Sequence, residues 1–383
     1  MYFRLNPECY FIKGKQHGAI YDLIEGDVYA LDSKESQKIE ECENNEIIDS
    51  ADPFLLELKK RVVGNFYDKK VFIEKLRLGS PIADYQQGVP PNLARAFLEM
   101  GNSCDQSCGY CGYNGVSRSM GCLGCNIWDE NGTPVSMDRW KELIDELHLL
   151  HCQSLFIKGG NLTKNWEKTR EILEYTDKKF KNIFVITHKA HFSEEVRDSL
   201  KNKANLIIQI DSLSDIDAQY EYLLMTDCQN ANDIFENLPN NVIVDIISRN
   251  FNSPQLGSRV SPNRNINKTN LEWFTHNNKL HPCLGNSITI SWSGEVLPCP
   301  MMRKYSLGNI KERKLWTFLR GTPDSIQEYW NLSLNKLQKC KNCEFRYACT
   351  DCRALEVAMT GDLYSKTLCN YDPSRGTWQQ ADS

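Results

Sequence analysis

Residues 101–111 read GNSCDQSCGYC, with Cys104, Cys108 and Cys111 in the spacing C-x3-C-x2-C and Tyr110 directly before the last cysteine. Residues 94–100, ARAFLEM, predict a strand that feeds straight into this loop. Three thiolates on so short a loop suit three irons of a [4Fe–4S] cube and leave the fourth iron without a protein ligand. A zinc knuckle fits the spacing poorly, because zinc sites favour cysteine pairs two to four residues apart.

An open iron accepts a chelating ligand, such as the amino and carboxylate groups of S-adenosylmethionine. Electron transfer from the cube then breaks the sulfonium and releases a carbon radical. The loop resembles the signature of the radical S-adenosylmethionine (radical SAM) enzymes, in which the aromatic before the third cysteine lies near the adenine. The resemblance implies catalytic roles for Cys104, Cys108 and Cys111, a cofactor contact at Tyr110, and an α/β fold built as a partial (β/α)6 TIM-like barrel.

The chain has 383 residues, enough for two or three domains. It is 41% hydrophobic and 25% charged, an ordinary globular mixture. A net charge of −5 gives no basic footprint for nucleic acid. No apolar run reaches membrane-spanning length. The opening residues, MYFRLNPECY, lack the apolar core of a signal peptide. Sixteen cysteines without an export signal point to metal ligands in a reducing cytoplasm rather than disulfides.

Residues 1–80 read as a small domain, with short strands expected at 9–12, 19–23 and 28–31. Asp32 and Glu35 form a D-x-x-E capping box for a helix running to about residue 47. Asp52 and Pro53 open a second helix over 54–63, with Gly64 just past its end. Three strands followed by helices resemble the winged-helix-like, leader-peptide-binding domain of enzymes that modify ribosomal peptides, where an extended peptide adds a strand to a sheet edge. The alternative is an extension that packs on the barrel. Residues 81–92, rich in turn residues, form a linker.

Strands and helices alternate across residues 93–265, the expected barrel. Ser136 caps a helix with Trp140, Leu143, Ile144 and Leu147 on one face. Strands are expected at 154–158, 183–187, 206–210 and 242–247, with helices over 166–175 and after Ser193. Repeated βα units imply a parallel sheet. Five strands are legible, and the sixth is expected somewhere in 250–279. Residues 266–282 form a bridging segment.

Three further features lie in this region. Cys122 and Cys125, in MGCLGC, form a pair outside the general radical SAM pattern, suited to one metal or a redox couple. Gly159-Gly160-Asn161 follows a strand where the family usually has Gly-Gly-Glu. The resemblance implies that the glycines let the backbone approach the methionine part of the cofactor, with Asn161 an uncharged substitute for the glutamate that holds its ammonium group. Asp211 and Ser212 end another strand and are candidates for the cofactor ribose or ammonium, against simple helix capping.

Residues 283–383 hold seven cysteines, Cys283, Cys299, Cys340, Cys343, Cys349, Cys352 and Cys369, with a hairpin-like SITISWSGEVLPC. The pattern resembles the SPASM extension of peptide-modifying radical SAM enzymes, departing where Cys349 and Cys352 are separated by two residues instead of three. The resemblance implies two auxiliary [4Fe–4S] clusters, an outer one on Cys340, Cys343, Cys349 and Cys369 and an inner one on Cys283, Cys299 and Cys352. Zinc is the rival for CKNC and CTDC. The inner set offers three thiolates for a cube of four irons. Either one iron is open to a substrate cysteine, or Cys122 or Cys125 closes it. Cys9, Cys42, Cys152 and Cys228 stand alone and read as ordinary thiols.

The stretch KCKNCEFRYACTDCRA, with LGNI before it and CNYDP after it, resembles peptide maturases of the CXXX-repeat and grasp-with-spasm types. The resemblance implies an enzyme with three [4Fe–4S] clusters and S-adenosylmethionine. Its partners are a ribosomally made precursor peptide and a reductant such as flavodoxin or ferredoxin. The expected product is a crosslink, a cysteine-to-carbon thioether ahead of a carbon–carbon bond. A catalytically silent scaffold and a zinc-bearing binding module are the readings from other classes.

Overall fold

The computed structural model describes residues 1–77, 93–108, 111, 117–118, 124–128, 130–214, 216–227, 238–248, 266, 268–320, 325–367 and 369–378. Tyr110, Cys122, Cys228 and the expected linker 81–92 lie outside them. Among the described residues, no helix is long and apolar enough to cross a membrane.

Near the N-terminus, β1 (Tyr2–Leu5) pairs antiparallel with β5 (Gly64–Tyr67), and β2 (Cys9–Lys13), β3 (Gly18–Asp22) and β4 (Val28–Leu31) form an antiparallel sheet. The last three are the strands the sequence predicts. β1 and β5 add a ribbon that the turn signals do not mark. The Asp32–Glu35 capping box is present, and α1 (Ser33–Glu43) stops short of residue 47 where Asn45 turns to φ 59°. Asp52 caps α2 (Pro53–Lys60) with proline in its first turn. Phe3, Leu5, Ile20, Ile39 and Leu55, all buried, form the local core.

In the middle of the chain, β6 (Arg95–Glu99), β8 (Ser154–Lys158), β9 (Asn182–His188), β10 (Asn205–Ile210), β11 (Glu221–Asp227) and β12 (Val242–Ser248) run parallel, each beside the next. Their spatial order follows their sequence order with no switch point. By the handedness of crossovers, every connection then passes on the same side, the winding of a barrel and not of a doubly wound sheet. β7 (Ser117–Arg118) pairs antiparallel at the β12 edge.

The sixth parallel strand is β11, upstream of the expected 250–279. Within that range the described residues give α6 (Leu271–Lys279) and an isolated bridge from Ile266 to Cys349. EYLLMTD carries Leu-Leu-Met, which favours helix, and pairing between β10 and β12 overrides that preference.

The period-2 alternation of the strands splits their side chains between two faces. Ala96, Leu98, Leu155, Ile157, Ile183 and Val185 pack against α3 (Met137–Leu149), α4 (Trp166–Tyr175) and α5 (Glu194–Leu200). All four apolar residues predicted on one face of α3 are buried. On the other face Phe97 stacks on Phe156, and Phe156 on Phe184, with ring centroids 5.0 and 4.7 Å apart.

The C-terminal hairpin is present as β13 (Ser287–Ile290) and β14 (Val296–Leu297), with Gly294 at φ 95° in its turn. β13 also pairs in parallel with β6, so a hairpin expected to belong to a separate domain extends the central sheet to nine strands among the described residues. At the far side, α7 (Arg353–Thr360) lies beside β7 and buries Leu355 against Ile208, Leu224 and Val244.

Candidate functional site

The C-x3-C-x2-C loop leaves β6 at the carboxyl ends of the parallel strands, where α/β folds place their chemistry. Its path depends on two glycines. Gly159 and Gly160 have φ of 118° and 54°, and a Cβ on either would stand 2.5 Å from Gly101 O or 2.4 Å from Ser103 O. In this structure the pair admits the cysteine loop to the end of β8. Asn161 continues the contact through its N–H to Ser103 O at 2.8 Å, and Gly160 N–H reaches Asn126 O at 3.0 Å.

Asn161 is buried, and its carboxamide is engaged locally. Its Oδ1 accepts from Thr163 N (2.9 Å) and Thr163 Oγ1 (2.6 Å), and its Nδ2 donates to Asp105 Oδ1 at 3.1 Å. An acidic side chain here would repel Asp105, so the departure from Gly-Gly-Glu goes with the carboxylate one residue past Cys104. Against desolvation, hydrogen bonds from its own backbone and from Asn161, with His191 beside it, hold the Asp105 carboxyl below its ordinary value.

The three thiols meet different surroundings. Cys104 Sγ lies 3.5 Å from His191 Nε2, which is also 3.4 Å from Asp105 Oδ1. Cys108 packs with Phe156, Phe184, Ile186, Leu223 and Cys125. Cys111 Sγ is 3.8 Å from Cys125 O and 3.9 Å from Asn126 Oδ1. Cys125 is buried in the same place, with its N–H donated to Gln209 Oε1 on β10 at 2.9 Å.

Among the described residues, the one group of three or more His, Cys, Asp or Glu with all ligand atoms within 4.8 Å of one another is Cys104, Asp105 and His191. A zinc ion would gather four sulfurs tightly, at bonds of about 2.3 Å each. A cube sets each sulfur on a different iron and needs no such close approach of the thiols.

Asp211 and Ser212 follow β10 and are exposed. Asp211 Oδ2 faces His188 Nε2 at 3.4 Å, and Ser212 Oγ accepts from Ser214 N at 3.3 Å. His188, His191 and Asp105 escape the sequence reading. The available signal was His-x2-His directly after a predicted strand, at the end of that strand where sites form.

In the C-terminal region, Cys340, Cys343, Cys349 and Cys369 line one cavity with Leu334, Lys366 and Tyr371. The structure thus brings together the four thiols of the expected outer set. Burial pushes the Cys349 thiol up to about 12 and raises Cys340 and Cys343 as well, so ligation there must displace protons. The expected inner set sits on three converging segments. Leu284, next to Cys283, and Ala354, two past Cys352, share a hydrophobic cluster with Cys299.

The two residues between Cys349 and Cys352 include Asp351, whose side chain is fully buried within an ionic network. Arg353 Nη2 donates to it at 2.7 Å, Lys366 Nζ at 2.6 Å and His281 Nε2 at 2.7 Å. His281 Nδ1 accepts from the backbone N–H of Cys283 (3.0 Å) and of Leu284 (2.9 Å), which fixes its proton on Nε2. One carboxylate thereby ties the Cys283 loop to the turn carrying Cys349 and Cys352.

Residues 282–353 match SPASM, an iron–sulfur cluster-binding domain, a span holding six of the seven C-terminal cysteines. No curated protein matches the chain. Among solved structures, Streptococcus suis SuiB bound to S-adenosylmethionine aligns with a TM-score of 0.49 at 11% identity, covering 96% of this chain and 99% of that one. SuiB bound to precursor peptide SuiA gives 0.48 at 12%, with the same coverage. BtrN in complex with AdoMet and 2-DOIA gives 0.39 at 14%, covering 72% of this chain and 98% of that one. Over residues 282–353, then, the chain is similar to the SPASM iron–sulfur cluster-binding domain.

Proposed function

We propose that this chain is a radical SAM enzyme that modifies a ribosomally synthesised peptide. One observation carries the reading: the C-x3-C-x2-C loop emerges at the carboxyl ends of six parallel strands wound in sequence order, in a chain that also matches an iron–sulfur cluster-binding domain.

Cys104, Cys108 and Cys111 would hold the first [4Fe–4S] cluster. S-adenosylmethionine would sit beside it, near Gly159, Gly160, Asn161, Asp211, Ser212 and Tyr110. When bound, the two together supply a 5′-deoxyadenosyl radical that takes a hydrogen from an unreactive carbon of the peptide. The chain contributes position and an apolar wall. Phe97, Phe156 and Phe184 line the inner face of the sheet with stacked rings, and Gln209 and Asn102 pin the 125–128 segment across the mouth.

Cys340, Cys343, Cys349 and Cys369 would hold an outer auxiliary cluster, and Cys283, Cys299 and Cys352 an inner one, three clusters in all. The inner set would leave one iron for the cysteine thiolate of the peptide, and the proposed product is a thioether from that cysteine to carbon. Residues 1–80 would bind the leader, with β4 at the edge of its sheet as the strand to extend. A flavodoxin or ferredoxin would supply the electron.

Anaerobic reconstitution is expected to load about 12 irons per chain. Replacing Cys104, Cys108 and Cys111 by alanine should remove about a third of them and all reductive cleavage of S-adenosylmethionine. Cleavage retained by that triple variant would place the chemistry elsewhere.

A further inference from the structure

We infer that His191 is a positioning residue for the first cluster, its Nε2–H donating to the Cys104 sulfur and so setting the potential at which that cluster takes up an electron. The inference rests on the cluster reading proposed above and adds to it a residue outside the cysteine motif.

The geometry is specific. His191 Nε2 stands 3.5 Å from Cys104 Sγ and 3.4 Å from Asp105 Oδ1. An iron-bound thiolate and an ionised carboxylate both accept hydrogen bonds and neither donates. With two acceptors against one ring nitrogen, the proton of the neutral imidazole belongs on Nε2, and the hydrogen-bond geometry is met at Cys104 Sγ. The ring is held in place, since His191 is 8% exposed and ends a 3-10 turn, Lys189–His191, directly after β9. That turn is capped by His188, whose Nδ1 accepts from Ala190 N at 3.1 Å.

Asp105 is held by Asn161 Nδ2, which donates to the same Oδ1 at 3.1 Å. Contacts therefore run from the end of β8, through Asn161 and Asp105, to His191 at the end of β9, which hydrogen-bonds back to Cys104. Hydrogen bonds to cluster sulfurs are among the determinants of iron–sulfur potentials, and partners of this kind tune a metal site as much as they orient it. A donor spreads the negative charge that reduction adds, so the bond favours the reduced state. Without it, the first cluster is harder to reduce.

The test uses the full chain, reconstituted anaerobically. The paramagnetic signal of the first cluster is identified as the one that S-adenosylmethionine perturbs. His191→Phe keeps a ring and removes the donor, whereas His191→Gln restores an N–H of similar reach. At a fixed solution potential, H191F should lower the reduced-to-oxidised ratio of that signal by roughly tenfold, equivalent to 59 mV for a one-electron couple, and H191Q should recover most of the loss.

In unsubstituted protein labelled with 15N-histidine, and without S-adenosylmethionine, the same signal should carry a 15N hyperfine coupling that H191F abolishes. An unchanged midpoint in H191F, or no histidine coupling in the labelled protein, overturns the inference. If H191F loses iron, the labelled unsubstituted protein decides, because it carries no substitution. If Cys104→Ala removes no iron, the cluster reading itself fails and the inference falls with it, an outcome distinct from a cluster that loads and ignores His191.

Discussion

Arg303 holds two carboxylates at once. Its Nη1 lies 3.0 and 2.9 Å from the oxygens of Glu99, while Nε and Nη2 lie 2.5 and 2.6 Å from those of Glu130. The guanidinium also covers the Trp128 ring at 4.7 Å, and Trp128 Nε1 donates to Glu99 at 3.1 Å. Glu99 ends β6, and Arg303 comes four residues after Cys299. One side chain thus links the mouth of the sheet to the C-terminal thiols. The Glu99 side chain is 1% exposed, so Arg303→Met would leave a buried charge without its partner, at a cost of about 3–5 kcal/mol. Urea unfolding should show that loss, with much of it recovered in the Glu99→Gln, Arg303→Met double variant; a loss below ~1 kcal/mol would reduce the network to a surface ion pair.

His276 gives the pH counterpart at the same scale. Burial, its largest cause, pushes this imidazole below its ordinary value despite a hydrogen bond to the backbone of His281. The folded chain therefore binds this proton less readily than the unfolded chain. The stability it contributes is intact above the unfolded value of about 6.5 and declines as pH falls below it. Between about pH 7 and 5.5, a window spanning that value, the thermal midpoint should fall further in the unsubstituted protein than in His276→Gln. Equal slopes would sink the assignment.

Among the elements, β13 changes what the C-terminal region is. Ile290 is fully buried, opposite Leu98 on one side and Val296 on the other, within the core shared by the sheet and α3. Ile290→Ala should cost ~2–5 kcal/mol, the range for a large-to-small change in a packed core, and unfold the sheet in the same transition. A separate early transition that leaves the sheet intact would mean an appended module. The sequence shows the hairpin but not its parallel pairing with β6, because strand partners set nearly 200 residues apart leave no local pattern. The same reason hides β11, whose Leu-Leu-Met becomes strand only between two neighbours. What the sequence does show clearly is local. The capping box at Asp32, the buried face of α3 and the cysteine spacings are each fixed by a few adjacent residues, and ligation demands sulfur whatever surrounds it. His191 lies between these cases. Its residue type is visible, but its meaning requires the end of β9 to meet the loop after β6.

Across the whole molecule, the N-terminal region is tied to the C-terminal thiols more closely than the expected linker suggests. β3 has its own core on one face and a shared one on the other, where Ala19, Tyr21 and Leu23 pack with Phe274, Phe345, Tyr347 and Tyr371. Main-chain bonds cross the same contact, from Lys15 N–H to Asn342 O (2.8 Å), Thr269 N–H to Gly26 O (2.7 Å) and Leu271 N–H to Leu23 O (3.2 Å). Tyr21 adds its hydroxyl to Glu344 O at 2.7 Å. Cys343 and Cys369, both in the expected outer set, pack against this shared core. Removing residues 1–77 therefore strips the packing behind Cys343, Cys369 and Tyr371, which line the outer cavity, while it removes the proposed leader-binding sheet. The shortened chain should lose about one cluster of three, roughly a third of its iron, and the milder Tyr21→Ala should weaken retention of the same iron. Reductive cleavage of S-adenosylmethionine at the first cluster should persist in both. A full iron content after the deletion would show that the outer cavity stands without this support. The two roles of the region separate at β4, an edge strand of its sheet. Ala30 in that strand is exposed, and the register turns its N–H away from β3; Ala30→Pro should weaken binding of a leader peptide by fluorescence anisotropy, and leave the iron content unchanged.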